Sequence, residues 1–331
     1  MTAARHPIRI ATRGSALALA QANMVLARCR AAFPTLEFEL KIIKTTGDKL
    51  QTAALAHEGA NLPKGLFTKE LEVALLKGEA DLAVHSLKDL PTELPPGLRL
   101  GAVAERADVR DVLLYRDAQA PGPDSRGRGF GPHARIRDLP AGAGVATSST
   151  RRRAQLLAVN PGLKTPDIRG NVLTRMQKLA AQHSLDATIL ALAGMTRLRY
   201  AVSPGGAIEG RDVPAGLRAT ILELDEMLPC VGQGAIGIEI RDDDERLSGL
   251  CRELNHEPTA QCVTAERAFL AAMGGGCQSP VAAYARLVGE IIEMQAVSFA
   301  SPPVRRAHAS RPRTQAVELG QWLADQLKPK A

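Results

Sequence analysis

The sequence predicts two α/β domains followed by a smaller α+β domain. Short β-like runs alternate with helical ones from the N-terminus, the same alternation recurs further along, and the last third turns to a helix followed by two adjacent alternating strands. With 331 residues the chain is long enough for two or three domains, each with its own core.

In chain order, Ile8 to Ala11 reads as a strand and Ala16 to Ala32 as a helix. Phe38 to Ile43 is a second strand, Lys69 to Leu76 a helix, and Leu82 to Val84 a buried strand. The second round comprises a strand over Gly144 to Ala146, a helix over Thr150 to Val159, a helix after Asn171 and a strand over Thr188 to Leu192. The final third offers a helix from about Thr259 to Met273, strands at Tyr284 to Val288 and Ile291 to Val297, and a last helix near Thr314 to Leu327. Pro121 to His133 and Ser203 to Gly216 concentrate Gly, Pro and charge without apolar periodicity and read as mobile surface loops.

The composition, 45% hydrophobic and 23% charged, is that of a globular protein, and no run of about eighteen apolar residues exists to cross a bilayer. The N-terminal stretch around Leu17 to Ala20 is interrupted by Gln21 and Asn23, so it is not a secretory core, and a cytoplasmic protein is expected. Five cysteines without a CxxC pair fit neither a disulfide framework nor a zinc site, and no metal is expected. The formal charge of +7 suits an anionic partner. Aromatics at 3% leave few rings for stacking bases, which counts against nucleic acid.

Three helix starts carry hydroxyl and basic side chains: Thr12-Arg13-Gly14-Ser15, Thr147 to Arg153, and Arg169-Gly170-Asn171 with Arg175 following. Free backbone N–H groups, a capping hydroxyl or amide, and planar guanidiniums together suit a carboxylate or phosphate, although each motif alone also fits a plain cap. None is a Walker A loop, and Gly274-Gly275-Gly276 is no dinucleotide fingerprint, which leaves carboxylate as the favoured anion. Asp89 is the only carboxylate in the turn His85 to Leu90 that follows the buried strand, where ligands bind in open α/β sheets. There it can bind a ring N–H, stabilise a cation and hand a proton to a leaving amine; it equally fits a turn cap paired with Lys88. Cys277 follows three glycines and has little side-chain cover, so it is an accessible thiol, reactive or inert.

Taken together and in order, these segments resemble the porphobilinogen deaminase family. The residues that carry the resemblance are Ala11 to Ser15, Lys64-Gly65-Leu66-Phe67-Thr68-Lys69-Glu70-Leu71-Glu72, Asp81 to Pro91 and Thr147-Ser148-Ser149 with Arg151 and Arg152. To these are added Arg169-Gly170-Asn171 with Arg175, Val231 to Ala235, and Thr264 to Phe269 leading to Gly275-Gly276-Cys277-Gln278. The resemblance runs from about Ile8 to Ala282. It implies two periplasmic-binding-protein-like α/β domains around a cleft: a discontinuous first domain over 1–108 and 229–252 and a second over 109–228. A third, α+β domain over 253–331 carries the cofactor cysteine.

It further implies a dipyrromethane cofactor held by a thioether to Cys277, porphobilinogen as substrate, four deaminating additions managed by Asp89, and hydrolytic release of hydroxymethylbilane by a monomeric enzyme without nucleic-acid or membrane partners. The positions matching the family's contacts to the acidic rings are Arg13, Ser15, Lys64, Phe67, Ser86, Lys88, Thr147, Ser149, Arg151, Arg152, Arg169, Gly170, Arg175, Arg197 and Gln233. Leu62-Pro63 departs from the usual glycine pair and is expected to stiffen a lid from about Gly47 to Pro63. Two other readings are compatible with the residues: a non-enzymatic anion-binding protein using the same cleft, and nucleic-acid binding by the basic surface.

Overall fold

The computed structural model describes residues 6–47, 67–119, 128–276 and 279–329. Lys64, the lid with Leu62-Pro63, most of the first surface loop, and Cys277 lie outside them. No described helix is long and apolar enough to cross a membrane.

The chain opens with β1 (Ile8–Arg13), α1 (Ala16–Ala32) and β2 (Phe38–Ile43), continues with α2 (Lys69–Leu76) and β3 (Leu82–Ser86), and then enters β4 (Leu98–Val103). β1 is flanked in parallel by β2 and β3. β1 and β3 are buried on both faces because helices cover both: Ile8 and Ile10 pack with Val25 and Leu26 of α1, while Ala11 and Ala83 pack with Leu71 and Leu75 of α2. Such strands read as continuous apolar runs, as the sequence predicts at Leu82 to Val84.

A second sheet is built from β5 (Asp111–Arg116), β6 (Val145–Ala146), β7 (Ala187–Ala191) and, later, β10 (Leu217–Ile221), in the order β10-β5-β7-β6. Helices α3 (Thr150–Val159), α4 (Val172–Ala181) and α5 (Leu192–Arg197) accompany it, with one core on each face. Within the second expected surface loop, β9 (Ile208–Glu209) pairs with β8 (Ala201–Val202) as a short hairpin.

The chain then returns: β11 (Ile236–Arg241) inserts antiparallel between β3 and β4, giving the first sheet the order β2-β1-β3-β11-β4. After α6 (Glu245–Leu254), which caps the first core, α7 (Glu257–Ala272) leads to an antiparallel meander of β12 (Val281–Val288), β13 (Ile291–Ser298) and β14 (Arg305–Pro312). α8 (Ala316–Leu327) packs with α7 on one face of that sheet through Phe269, Leu319 and Leu323. The expected class is observed, two α/β layers and an α+β unit.

The two segments joining the first sheet to the second run side by side: the Ala104 and Ala107 amides donate to Ile236 and Gly234 at 3.0 and 3.1 Å. Both are tied to α7 by one carboxylate. Glu266 is fully buried and accepts both ends of the Arg106 guanidinium, at 2.7 and 3.0 Å, together with the amides of Gly232 and Ala285, each at 2.8 Å. Burial works against the charge of Arg106, but Glu266 outweighs it and raises the Arg106 pKa. Removing one partner of such a pair strands the other charge and the two amides. Glu266→Ala is therefore expected to cost about 3–5 kcal/mol of stability, read by urea denaturation. Exposed Glu318→Ala is the control and is expected to stay within about 0.5 kcal/mol.

Candidate active site

β3 lies third of five in its sheet, and its C-terminal end passes into a single tight turn, Leu87–Asp89. That turn is pinned from the returning segment: the Leu87 amide donates to Ala235 at 3.1 Å. Gly232 and Gly234 both have positive φ, +71° and +85°. A Cβ on Gly234 would meet the Ala107 carbonyl oxygen at 2.5 Å, and one on Gly232 would crowd the Lys88 amide at 3.3 Å, so the glycines let this segment press against the turn.

Asp89 opens into a pocket with Arg13, Ser15, Phe67 and Ser86, and among the described residues it is the only carboxylate lining it. Arg13 is the last residue of β1 and stacks over the Phe67 ring, 4.2 Å from guanidinium carbon to ring centre. Ser15 caps α1 by accepting the Ala18 amide at 3.3 Å. Ser86 is bonded to the Gln21 side-chain amide at 2.9 Å. Gln21, Thr68 and His85 also line the pocket and are absent from the sequence-based set. Gln21 carried a signal, because it shares the buried face of α1 with Ala18, Ala22 and Val25, where a polar residue is out of place.

The three helices singled out by sequence, α1, α3 and α4, have no acidic residue in the first turn, whereas α2, α6, α7 and α8 each have one or more. Their N-terminal dipoles are left uncompensated by local acids. Ser149 caps α3 by accepting the Arg152 amide at 3.4 Å, and the buried Thr147 hydroxyl accepts the Ser149 amide at 3.2 Å. Asn171 caps α4 at 2.8 Å, Gly170 stands at φ +117°, and Lys178 reaches the Arg169 carbonyl at 3.0 Å.

Arg151, Arg152 and Gln233 converge on Asp111. The fully buried Asp111 carboxylate accepts Arg151 at 2.8 Å, Arg152 at 2.7 Å and the Gln233 amide at 2.9 Å. Arg151 also reaches the Leu228 carbonyl at 2.5 Å and Arg152 that of Ile189 at 2.9 Å. The two guanidiniums are about 5% exposed, with much of their donor capacity spent inside the protein. Sequence reading passed over Asp111, an acid at the start of a strand with no motif around it.

Arg175 and Arg197 are different. Arg175 donates its Nε to Gly170 at 2.8 Å; burial and the charge of Arg152 bring its pKa down to about 10 against the opposing pull of Asp89, which places it within electrostatic reach of the pocket acid. Arg197 donates to Gly234 at 2.5 Å, its Nε is buried without a partner, and burial brings it to about 10. No carboxylate forms an ion pair with either among the described residues, so each is a cation suited to an acidic ligand. Cys29, Cys251 and Cys262 are buried thiols pushed up to about 11, 12 and 11, first of all by burial, and are not nucleophiles near neutral pH.

Burial opposes the charge of Asp111, but Arg152 and Arg151 outweigh it and hold its carboxyl well below the usual range. A depressed carboxyl contributes stability above its unfolded value and loses it as pH falls toward the folded one. Asp111→Asn is expected to cost about 3–5 kcal/mol, a gap from wild type that is constant from neutrality down to about pH 5 and narrows only below about pH 4. Urea denaturation across that range checks it.

Two family models match the chain: "Porphobilinogen deaminase, dipyromethane cofactor binding domain" over residues 8–249, and "Porphobilinogen deaminase, C-terminal domain" over 260–329. The porphobilinogen deaminase of Desulforudis audaxviator is 43% identical over 98% of this chain and 94% of its own length. That of Geotalea uraniireducens is 41% identical, covering 97% and 91%. Among solved structures, the extracellular-binding protein ytmK of an amino-acid ABC transporter from Bacillus subtilis overlays with a TM-score of 0.39 at 12% identity, over 75% of this chain and 90% of that one. The two models account for nearly the whole sequence, and this chain belongs to the porphobilinogen deaminase family.

Proposed function

We propose that this protein condenses four molecules of porphobilinogen, with loss of ammonia, on a dipyrromethane primer joined by a thioether to Cys277, and then releases hydroxymethylbilane by hydrolysis. The observation that carries the reading is Asp89, the single carboxylate among the described residues lining a pocket at the mouth of β3, with Arg13 in the same lining and Arg175 within electrostatic reach.

The dipyrromethane supplies a free pyrrole α-carbon as nucleophile and a permanent anchor for the growing chain. The chain's own residues do the rest. Asp89 accepts the pyrrole N–H of the incoming ring and stabilises the positive charge that develops on it as the C–N bond breaks and the electron pair leaves with nitrogen. Its setting in a pocket walled by Leu17, Ala18, Phe67 and Val84 limits water around that charge. Each ring brings acidic side arms, and we assign these to Arg175 and Arg197, which no described carboxylate pairs, while Arg13, Ser15 and Phe67 line the Asp89 pocket. Thr147, Ser149, Arg169 and Gly170 complete the α3 and α4 helix starts, and Ser86 and Lys88 flank the Asp89 turn; Lys64, which lies outside the described residues, is assigned to the same site by the family resemblance alone. Arg151, Arg152 and Gln233 contribute through the field of the Asp111 cluster and through whatever donors it leaves free. The thiol that carries the primer is Cys277, as the family resemblance implies; that Cys29, Cys251 and Cys262 are buried with raised pKa values supports this choice.

Residues 1–108 with 229–252, 109–228, and 253–331 form three domains; the membership of the three main sheets, which share no strand across those limits, supports the division. The enzyme acts as a cytoplasmic monomer on a small-molecule substrate, without nucleic-acid or membrane partners.

Intact-protein mass spectrometry of chain produced in a porphobilinogen-making host is expected to show an adduct of dipyrromethane mass on the wild type and none on Cys277→Ser; an unmodified wild type overturns the assignment. Asp89→Ala is expected to keep the fold and lower kcat by about 10²-fold or more. Activity within tenfold of wild type in a steady-state assay refutes the role given to that carboxylate.

A further inference from the structure

Beneath the pocket lies a second polar cluster that the proposed chemistry does not use. Glu239 on β11 stands opposite Ala83 of β3, and His85 follows two residues on along β3, so both side chains point to the face covered by α2. His85 Nε2 and Glu239 Oε2 are 2.9 Å apart, with both side chains buried. Glu72 enters the same compartment from α2 and is also buried. Glu239 Oε1 and Glu72 Oε1 are each buried without a hydrogen-bond partner. Two ionised carboxylates offer only acceptors, so neither orphan can satisfy the other unless one acid keeps its proton.

We propose that Glu72 is protonated in the working protein and donates to the free oxygen of Glu239, so that Glu239 accepts the His85 Nε2–H and fixes the imidazole at the pocket wall. Glu72 and Glu239 are then positioning residues that act on the pocket through His85, which lines it. The inference rests on reading that pocket as the deaminase site. It also explains how the pocket's two walls keep register: Phe67 and Thr68 enter it from the start of α2, and Ser86 and Asp89 from the end of β3.

The surrounding charges agree. Burial raises the Glu72 pKa, the Thr68 hydroxyl bond lowers it, Glu239 raises it, His85 lowers it and Glu70 raises it, for a net rise. Glu70 is itself held by the Thr46 amide and hydroxyl. Arg13, on the same face of β1, is stacked on Phe67. Arg241, farther along β11, is committed to the Leu75 and Ala80 carbonyls and to Asp244. Asp89 lies beyond the end of β3.

The test uses the full chain labelled with ¹⁵N-histidine. Glu72→Gln retains a donor toward Glu239 and is expected to leave the His85 ring signals at wild-type positions and kcat/KM within about twofold, whereas Glu72→Ala should shift those signals and lower kcat/KM about tenfold. Unmoved His85 signals in Glu72→Ala, or a Glu72→Gln variant as damaged as Glu72→Ala, overturn the proposal. Should Glu72→Ala not fold, the infrared difference between wild type and Glu72→Gln decides: a neutral-carboxyl carbonyl stretch present at neutral pH in the wild type supports it, and its absence overturns it. The nuclear and infrared signals are read without turnover, so failure of the deaminase reading, seen as a missing Cys277 adduct, is distinguishable from failure of this one.

Discussion

One buried carboxylate sets the geometry on which the site depends. Glu266 holds Arg106 on the outgoing segment, the Gly232 amide on the returning segment and the Ala285 amide of the third sheet in a single fully buried node. The returning segment, so held, places Ala235 under the Leu87 amide and Gly232 against Lys88, which fixes the turn that presents Asp89. Asp89 is thus presented by a turn held by the segments that join the first two sheets and, through Glu266, by the third sheet. The same node sits on α7, the helix that leads toward the Gly-rich run before Cys277.

The cleft concentrates guanidiniums, and the structure divides them by whether an internal acid neutralises them. Arg151 and Arg152 fork onto Asp111 and onto backbone carbonyls, an arrangement that desolvates two cations and one anion and is offset by the bonds that both oxygens of Asp111 accept, with Arg151 Nε left buried without a partner. Arg175 and Arg197 have no such acid, and their lowered pKa values record what burial without a counter-ion costs. A ligand that brings carboxylates relieves that cost, which supports assigning the acidic side arms to the second pair in the function proposed above. The first pair shapes α3 and carries the field.

Much of the fold was legible. α1, β2, α2 and α3 have the expected limits because their apolar spacing and caps are local properties. β4, β5, β10 and β11 were not called out, since they are strands whose place depends on partners far away in sequence: β11 inserts between β3 and β4 from more than a hundred residues on. β14 was missed because Arg306, His308 and Ser310 alternate outward and leave only small residues such as Ala307 and Ala309 facing the core. In the site, the motif residues Arg13, Ser15, Phe67, Ser86 and Asp89 do line one pocket. What single positions could not reveal is which arginines are already paired, because Asp111 and Glu266 reach their partners only through tertiary structure.

The sorting of acids completes the logic of the site. A carboxylate free in the cleft would compete with the substrate's own acid arms for the same guanidiniums, and in a low-dielectric pocket such competition is costly to overcome. Asp111 and Glu266 are kept out of that competition by dedicated cations, and Glu239 by an imidazole. Glu72 and Glu239 lie on the far side of the pocket wall, under α2. Among the described residues, Asp89 is left as the one acid lining the pocket. On the function proposed above, a cation formed transiently on a ring meets that carboxylate at the mouth of β3, while the permanent negative charge of the side arms is assigned to Arg175 and Arg197. That separation lets one cleft stabilise charges of both signs.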